Sequence, residues 1–244
     1  MTKPKVIVIA GPTASGKSNL AIELAKKING EIISADSMQI YKDMNIGTAK
    51  VTKEEMKNIK HYMIDIVTPT ERYSVSQYKN EAEKCIEEII KKGKVPIICG
   101  GTGLYINSLI YNINYSQEEI DNEYRAQLNK IAENDGLEEL YNMALKIDLE
   151  AMQKISKNDK KRIIRVLEIY KKTGKTKTEQ EANSRMEKPK YEYLVFAINI
   201  ERDKLYDRIN KRVDIMIEMG LIDEVKKILK TYNSFPTAMQ GLRL

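Results

Sequence analysis

The feature that most constrains this chain is a motif of eight residues that directly follows an apolar segment, Lys5–Ala10. The motif matches G-x-x-x-x-G-K-[ST] and consists of Gly11, Pro12, Thr13, Ala14, Ser15, Gly16, Lys17 and Ser18. Apolar residues at helical spacing come next, so the motif stands between a strand and a helix, the context that a phosphate-binding loop requires. There the backbone N–H groups and the lysine bind phosphate, and the Ser18 hydroxyl suits Mg²⁺. The motif predicts phosphate binding without showing that a nucleotide is hydrolysed.

Short runs rich in Val and Ile alternate with helical patterns. Because the apolar residues run together instead of alternating, we expect buried parallel strands. The predicted strands are Lys5–Ala10, Glu31–Ala35, Met63–Val67 and Val95–Cys99, and a strand-like run, Tyr191–Ile200, precedes a helical pattern over Arg202–Met219. The alternation predicts an α/β fold with a P-loop NTPase-like three-layer core. Its ligands should bind at the carboxyl ends of a parallel sheet.

Residues 116–186 show long helical patterns and no convincing strand. We therefore expect an α/β core of residues 1–115 and 187–244, interrupted by a helical insertion of residues 116–186. The chain has 244 residues and a net charge of +6, and the positive excess is local. Residues 154–177 carry ten basic and two acidic residues, a net charge of +8, whereas residues 116–150 carry ten acidic and three basic ones. Such a basic segment indicates that the insertion binds a polyanion.

Cysteine and histidine content limits the chemistry. Cys85, Cys99 and a single histidine, His61, are too few for a zinc cluster or a disulfide framework, so we expect reduced thiols and a cytoplasmic location. No apolar run approaches the ~18 residues that cross a bilayer, so we expect no membrane association. We also expect a monomer.

Two candidate site residues follow predicted strands. Asp36 comes after Glu31–Ala35, so its carboxylate should lie at the same edge of the sheet as the phosphate loop. It suits a general base, a Mg²⁺ ligand acting through water, or a cap of the next turn. Thr102 lies in the glycine-rich segment Gly100–Tyr105. That segment offers a hydroxyl at a strand end, but an ordinary strand-to-helix turn explains it as well.

The basic segment has its own pattern. Asn158 or Asp159 should cap a helix that runs through Tyr170, with Lys161 and Arg165 opposite its apolar face. A solvated face usually mixes charges, whereas this one has almost no acids, which favours contact with a nucleic-acid backbone.

Near the C-terminus, Arg208 and Arg212 share a helix face. They either clamp a diphosphate or pair with Asp207 and Asp214, and composition does not decide between these roles.

Together these motifs resemble the tRNA dimethylallyltransferases, also called tRNA isopentenyltransferases. The matching segments, in the family's order over almost the whole chain, are Gly11–Ser18, Asp36–Tyr41, Asn45–Lys50, His61–Asp65, Gly100–Tyr105 and Asn158–Arg165. Asp36–Tyr41 followed by Asn45–Lys50 is more specific than the phosphate loop, because a nucleotide kinase would not carry it. Family members continue after a segment like Thr237–Gln240, whereas this chain ends at Leu244 and has no tryptophan. We therefore expect a member shortened at its C-terminus.

The resemblance implies transfer of a dimethylallyl group from dimethylallyl diphosphate to N6 of an adenine on the 3′ side of the anticodon in tRNA. It implies that Gly11–Ser18 hold the diphosphate, with Lys17 and Mg²⁺ neutralising it and Arg208 assisting. It also implies that Asp36 is the general base and that Thr102 lies near the target nucleotide. The implied contacts with the anticodon stem-loop are Asp36, Ser37, Met38, Gln39, Thr102, Arg125, Lys161, Arg162, Ile163, Ile164 and Arg165.

Three alternatives remain open at the level of sequence. A dimethylallyltransferase acting on AMP or ATP would use the same chemistry but would not need the basic insertion. A P-loop nucleotide kinase would explain residues 11–18 but not residues 36–50 or 100–105. A tRNA-binding protein without catalysis would retain the insertion alone.

Overall fold

The computed structural model describes residues 3–113, 121–184, 188–235 and 238. The chain forms two compact units, one of Met1–Asn112 with Pro189–Leu244 and one of Ile113–Lys188. We call them the sheet unit and the helical unit. The domain boundaries expected from the sequence, between residues 115 and 116 and between residues 186 and 187, lie outside the described residues, as do residues 239–244. Those boundaries stay predictions.

The sheet unit is built on a parallel sheet. Its strands are β1 (Lys5–Ala10), β2 (Gly30–Ser34), β3 (His61–Tyr62), β4 (Val95–Gly100) and β5 (Glu192–Ala197). They lie in the order β3-β2-β4-β1-β5, and every neighbouring pair is parallel. The carboxyl ends of the strands therefore meet at one edge of the sheet. The predicted α/β fold is confirmed.

Helices connect the strands and form the second unit. The sheet unit contains α1 (Lys17–Ile28), α2 (Lys53–Met56), α3 (Val75–Lys91) and α4 (Gly103–Ile110). The helical unit contains α5 (Asn122–Asn134), α6 (Leu137–Ile147), α7 (Leu149–Gln153), α8 (Lys160–Thr173) and α9 (Lys177–Ser184). The chain then returns to the sheet unit with α10 (Arg202–Glu218) and α11 (Leu221–Thr231). None of the described helices is long and apolar enough to cross a membrane.

The predicted strand Met63–Val67 is wrong in position. The strand that forms, His61–Tyr62, is shorter and lies just before it, paired with Ile32 and Ile33 of β2. Met63 and Asp65 have positive φ angles of 62° and 56°, which are incompatible with an extended strand. Met63 is buried, at 4% exposed, and Ile66 and Val67 are partly buried against the same core. Burial and strand formation give the same short apolar run in a sequence.

Two apolar layers cover the faces of the sheet. Ile33 and Ile98 belong to a cluster that includes residues of α3 and α4, whereas Ile32 and Ile97 belong to a cluster that includes residues of α1. Consecutive strand residues therefore point to opposite faces, as strand geometry requires. The buried residues of α1 are Ala21, Ile22 and Ala25; Leu20, which the apolar spacing places on the same face, is 48% exposed.

The helical unit has a separate core. Leu128, Leu140, Met152, Ile163 and Leu167, from α5 to α8, are among its most buried members. Asp148 fixes α9 to this core, because its carboxylate accepts hydrogen bonds from the backbone N–H and the hydroxyl of Thr178, at 2.9 and 2.7 Å. Within residues 121–184 the structure contains helices and no strand.

Gly100, the last residue of β4, packs closely against the backbone at the edge of the sheet that carries Asp36. A Cβ atom on Gly100 would lie 2.1 Å from the Ala35 carbonyl oxygen, a backbone atom that cannot move away alone. Gly100→Ala should therefore destabilise the protein by about 2–3 kcal/mol or more. The matched control is Gly103→Ala, because nothing lies within 4 Å of its Cβ position. Urea denaturation followed by circular dichroism measures both, and equal midpoints for the two variants would contradict the prediction.

Candidate functional site

The phosphate loop joins β1 to α1, and its backbone angles restrict which residue types fit at some positions. Ala14 and Gly16 have positive φ angles of 63° and 85°. Glycine adopts such an angle without the steric cost of a Cβ atom. Gly16 is the N-cap of α1 and provides no side-chain acceptor, so the first N–H groups of the helix are left without a capping side chain. A helix N-terminus in this state attracts anions.

A cavity of about 430 Å³ opens beside the phosphate loop. Residues 14–19 form one side of it, residues 45, 46 and 49–52 with the acidic Glu55 a second, and α10 with the following Met219 a third. The cationic groups in its lining are Lys17, Lys50 and Arg212, and the apolar side chains are those of Ile215 and Met216 on α10 and of Met219 directly after it. This combination suits a ligand with an anionic part and an apolar part.

Lys17 and Arg212 are partly removed from water. Burial lowers the pKa of both side chains, and the charge of Arg212 lowers the pKa of Lys17 further, while Asp36 acts in the opposite direction on both. Lys17 Nζ donates a hydrogen bond to the Pro12 carbonyl at 3.1 Å. Two desolvated cations that repel each other are stabilised when an anion binds between them. The electrostatics therefore favour a multiply charged anion in this cavity.

The loop also fits a divalent ion that is bound mainly through a ligand's phosphates. Among the described residues, no three His, Cys, Asp or Glu side chains come together as a metal site. Mg²⁺ needs no such cluster, since it commonly uses few protein ligands together with substrate phosphates. Ser18, directly after Lys17, lines the cavity. The buried Ser15 hydroxyl in the same loop lacks a hydrogen-bond partner within the described residues.

Asp36 lies two residues beyond the end of β2 and organises the turn after it. Its Oδ1 atom accepts hydrogen bonds from the backbone N–H groups of Met38 at 2.9 Å and Gln39 at 3.4 Å. The turn thus fixes the orientation of the carboxylate through one oxygen. The cap role considered from sequence is fulfilled, and the second oxygen has no hydrogen-bond partner among the described residues.

Thr102 lies next to this turn. Its hydroxyl accepts a hydrogen bond from the Ser37 N–H at 2.9 Å and donates one to the Ser37 hydroxyl at 3.3 Å. The Thr102 N–H donates to the Ala35 carbonyl at 3.0 Å. The structure therefore brings Asp36, Ser37 and Thr102 together at the carboxyl ends of β2 and β4.

The side chains of Met38 and Gln39 face inward. Met38 packs against the core of the sheet unit. Gln39 Nε2 donates to the carbonyls of Thr48 at 3.3 Å and Ala49 at 3.2 Å, so its amide holds the segment that lines the cavity. Both residues thus have structural contacts that the sequence reasoning did not foresee.

Arg208 and Arg212 differ although they share a helix face. Arg208 is exposed and is not part of the cavity lining, whereas Arg212, one turn further along α10, is partly buried and lines it. The structure thus favours Arg212 for anion binding in place of the predicted Arg208. Helical spacing showed that the two residues are equivalent on α10, but only the position of α10 in the unit distinguishes them.

Helix α8 contains most of the predicted tRNA contacts. Asp159 caps it by accepting a hydrogen bond from the Arg162 N–H at 3.0 Å. Lys161 and Arg162 are exposed and Arg165 is partly exposed. Ile163 and Ile164 are only 0% and 6% exposed, within the core of the helical unit. Their side chains hold the helix in place and do not support the predicted RNA contact, which stays a prediction.

Arg125 has a well-defined partner in the helical unit. Its Nε and Nη2 atoms donate to the two oxygens of the buried Glu168 carboxylate, at 2.6 and 2.8 Å. Such a two-point ion pair fixes the guanidinium group firmly. Arg125 therefore joins α5 to α8, which its position in the sequence did not indicate.

Comparison with known proteins places the chain in a family. The family model described as IPP transferase matches residues 39–243. A tRNA dimethylallyltransferase of Acetivibrio thermocellus is 53% identical over 238 residues, which cover 97% of this chain and 76% of that protein.

Solved structures give the same result. The full-length tRNA isopentenylpyrophosphate transferase of Bacillus halodurans matches with a TM-score of 0.67 and 42% identity, over 98% of this chain and 74% of that one. The corresponding Staphylococcus epidermidis transferase matches with a TM-score of 0.65 and 46% identity, over 98% and 77%. A eukaryotic dimethylallyltransferase acting on tRNA matches with a TM-score of 0.76 and 35% identity, over 94% and 57%. The chain therefore belongs to the IPP transferase family, that of the tRNA dimethylallyltransferases.

Proposed function

We propose that the chain transfers a dimethylallyl group from dimethylallyl diphosphate to N6 of an adenine on the 3′ side of the anticodon in tRNA, releasing diphosphate. Membership of the tRNA dimethylallyltransferase family supports transfer to an adenine of tRNA. We propose in addition that N6 is the acceptor atom and that the adenine lies beside the anticodon. The observation that carries it is a cavity with two partly buried cations, Lys17 and Arg212, which Asp36 influences electrostatically.

The phosphate loop has the clearest part in this reaction. Cleavage of the allylic C–O bond leaves negative charge on the departing diphosphate and positive charge on carbon. This negative charge is stabilised by Lys17, Arg212 and the N-terminus of α1. These groups are already oriented and partly shielded from water. The apolar side chains of α10 line the same cavity, so they suit the hydrocarbon part of the donor and help to keep water from the developing cation.

The tRNA dimethylallyltransferase family uses a divalent metal, and we propose Mg²⁺ here. Ser18 is the protein residue that would hold it, together with diphosphate oxygens, in the manner usual for this ion. When bound, the ion supplies further neutralisation of the leaving group.

Asp36 is proposed as the general base. The lone pair on the adenine amino group is delocalised into the ring, so attack on carbon requires that a proton leave the nitrogen as the new bond forms. Because Oδ1 is held by the following turn, the carboxylate is oriented and its Oδ2 atom is free to take that proton. Thr102, hydrogen-bonded to Ser37, is proposed to lie near the target nucleotide.

The helical unit is proposed to bind the anticodon stem-loop. Loop nucleotides are easily unstacked, which a modified base requires in order to reach an active site. The exposed cations Lys161 and Arg162 with Arg165 on α8 suit contacts with the phosphate backbone. Arg125 is proposed to lie at the tRNA entrance, where its ion pair with Glu168 would orient it.

A cytoplasmic location is also proposed. Cys85 and Cys99 are free cysteines, which is typical of a reducing compartment. The monomeric state stays an expectation.

The function is tested by offering radiolabelled dimethylallyl diphosphate with Mg²⁺ to unmodified tRNA and, separately, to AMP. We expect label in tRNA and none in AMP. Asp36→Asn should lower the rate constant of transfer about 10²- to 10⁴-fold. The amide oxygen can still accept the two turn hydrogen bonds, whereas the amide cannot take a proton. Affinity for the donor, measured by calorimetry, should stay within about two-fold of the wild type.

Each outcome of this assay has a distinct meaning. Label in AMP alone would mean that the acceptor is a free nucleotide and not tRNA. Binding of tRNA without any transfer would indicate a protein without catalysis. A D36N variant that transfers at the wild-type rate would exclude Asp36 as the base.

Arg212 and Arg208 provide a matched pair on one helix face. Arg212→Gln should raise the KM for dimethylallyl diphosphate about 10- to 100-fold, because it removes a charged hydrogen-bond donor from the cavity. Arg208→Gln should leave that KM within about two-fold of the wild type, since the side chain lies outside the lining. Steady-state kinetics with saturating tRNA measures both values. The reverse result would restore Arg208 as the residue that binds diphosphate.

The proposed RNA contact on α8 is tested by the salt dependence of binding. The double variant Lys161→Ala, Arg165→Ala should weaken binding of unmodified tRNA and reduce the slope of log K against log salt by about one for each lost phosphate contact. A second double variant, Lys130→Ala, Lys146→Ala, removes the same charge from the acidic part of the helical unit and should keep the slope. Equal slopes for all three proteins would mean that this face of α8 is merely solvated.

A further inference from the structure

A carboxylate far along the chain is held by the loop that lines the cavity. Glu224 Oε2 accepts hydrogen bonds from the backbone N–H groups of Asn45 and Ile46, both at 2.8 Å. Its Oε1 accepts one from Gly47 at 3.0 Å. Three consecutive N–H groups thus converge on one carboxylate, the arrangement of a backbone anion-binding nest. Glu224 is 177 to 179 residues away from these partners in the sequence.

Helix α11 keeps Glu224 in this position. Leu221, Glu224 and Ile228 are spaced so that they share one helix face. Leu221 is 9% exposed and Ile228 is 2% exposed, the latter within the main core of the sheet unit. Tyr232, directly after the helix, donates from its hydroxyl to the carboxylate of Asp43. The helix therefore holds this loop at two points, residue 43 and residues 45–47.

The same loop is also supported from inside. Lys50, whose side chain is 5% exposed, donates to the Tyr41 carbonyl at 2.7 Å and to the Asn45 side chain at 3.0 Å, and it pairs with Asp65. Gln39, in the turn after Asp36, donates to the carbonyls of Thr48 and Ala49. Contacts on both sides thus define the backbone of residues 45–50, which includes one wall of the cavity.

We infer that Glu224 is a positioning residue for donor binding: by holding the N–H groups of residues 45–47, it keeps residues 45–50 at the distance from the phosphate loop that the diphosphate cavity requires. The inference rests on the proposed function, since that identifies the ligand of the cavity as the donor. Glu224 is not among the residues that line the cavity, so it acts through the loop. The loop residues that line the cavity are Asn45, Ile46, Ala49 and Lys50.

A purely structural role for Glu224 makes a different prediction. If Glu224 only stabilised the fold, its loss would lower the melting temperature and the fraction of active protein, and the apparent kcat would fall without a change in KM. A positioning role changes the shape of one wall of the donor cavity, so the loss falls on the KM and Kd of the donor. The KM for tRNA should change little, because the loop segment concerned lines the cavity beside the phosphate loop.

The test compares Glu224→Ala, Glu224→Gln and Glu224→Asp with wild type. We expect Glu224→Ala to raise the KM for dimethylallyl diphosphate about ten-fold or more at an unchanged KM for tRNA. Glu224→Gln should give an intermediate value, because one amide oxygen can still accept the bonds from Asn45 and Ile46 while the amide nitrogen faces the Gly47 N–H. Glu224→Asp keeps the charge but is one methylene shorter, so it should recover affinity only partly.

The matched control is Asp223→Ala. Asp223 lies on the same first turn of α11, and its side chain is 85% exposed with Lys226 at 3.8 Å. Its removal changes the charge of the turn equally without touching the loop. We expect the KM for the donor to stay within about two-fold of wild type. An equal rise for Asp223→Ala and Glu224→Ala would overturn the inference, as would an unchanged donor KM in Glu224→Ala.

Binding of inorganic pyrophosphate with Mg²⁺, measured by calorimetry, separates this inference from the proposed function. If wild type transfers no label to tRNA, the proposed function fails, yet weaker pyrophosphate binding in Glu224→Ala and Glu224→Gln would still support the positioning role. If wild type transfers label while all Glu224 variants bind pyrophosphate as wild type does, only the positioning role fails. Should Glu224→Ala not fold, Glu224→Gln, which keeps the size of the side chain, decides the question by the same two measurements.

Discussion

The pairing of β4 with both β1 and β2 is the constraint on which the site depends. Because all three strands are parallel and adjacent, the segments that leave their carboxyl ends emerge side by side. These segments carry Lys17 after β1, Asp36 after β2 and Thr102 after β4. The approach is so close that Gly100 lies against the Ala35 backbone with no room for a side chain. The lysine of the phosphate-loop motif and the carboxylate proposed as the base thus lie at one edge of the sheet because of the strand pairing.

Electrostatics adds the second requirement. Burial lowers the pKa of both Lys17 and Arg212, and the charge of Arg212 lowers the pKa of Lys17 further. Hydrophobic packing does not compensate for the free energy of burying two charged side chains. The Asp36 carboxylate relieves the cost in part, so the residue proposed as the base is also a counter-charge to the cations. In the proposed function a diphosphate completes the neutralisation, and the donor meets groups that are already oriented.

Local sequence patterns correctly predicted elements whose structure depends on neighbouring residues in the chain. The strand Lys5–Ala10 and the Asp159 cap of α8 follow from neighbouring residues, and the structure confirms both. The Met63–Val67 strand failed because burial of a loop gives the same apolar run as a strand. Arg208 and Arg212 are equivalent on a helical wheel, and the direction from which α10 approaches the phosphate loop distinguishes them. Ile163 and Ile164 show the limit of transferring a motif whole, since one motif on an amphipathic helix contains both exposed residues, Lys161 and Arg162, and buried ones.

The loop of residues 45–50 shows why the remaining features were out of reach of sequence reasoning. The segment stands out in the sequence as a motif, but nothing local explains its conformation. Its shape is imposed by Gln39 and Lys50 from one side and by Glu224 from the other, and Glu224 comes from a helix near the opposite end of the chain. A carboxylate on the first turn of an amphipathic helix looks like ordinary favourable charge placement at a helix N-terminus. Only the fold reveals that it holds three backbone N–H groups, which is the basis for the inference that α11 helps to shape the cavity beside the phosphate loop.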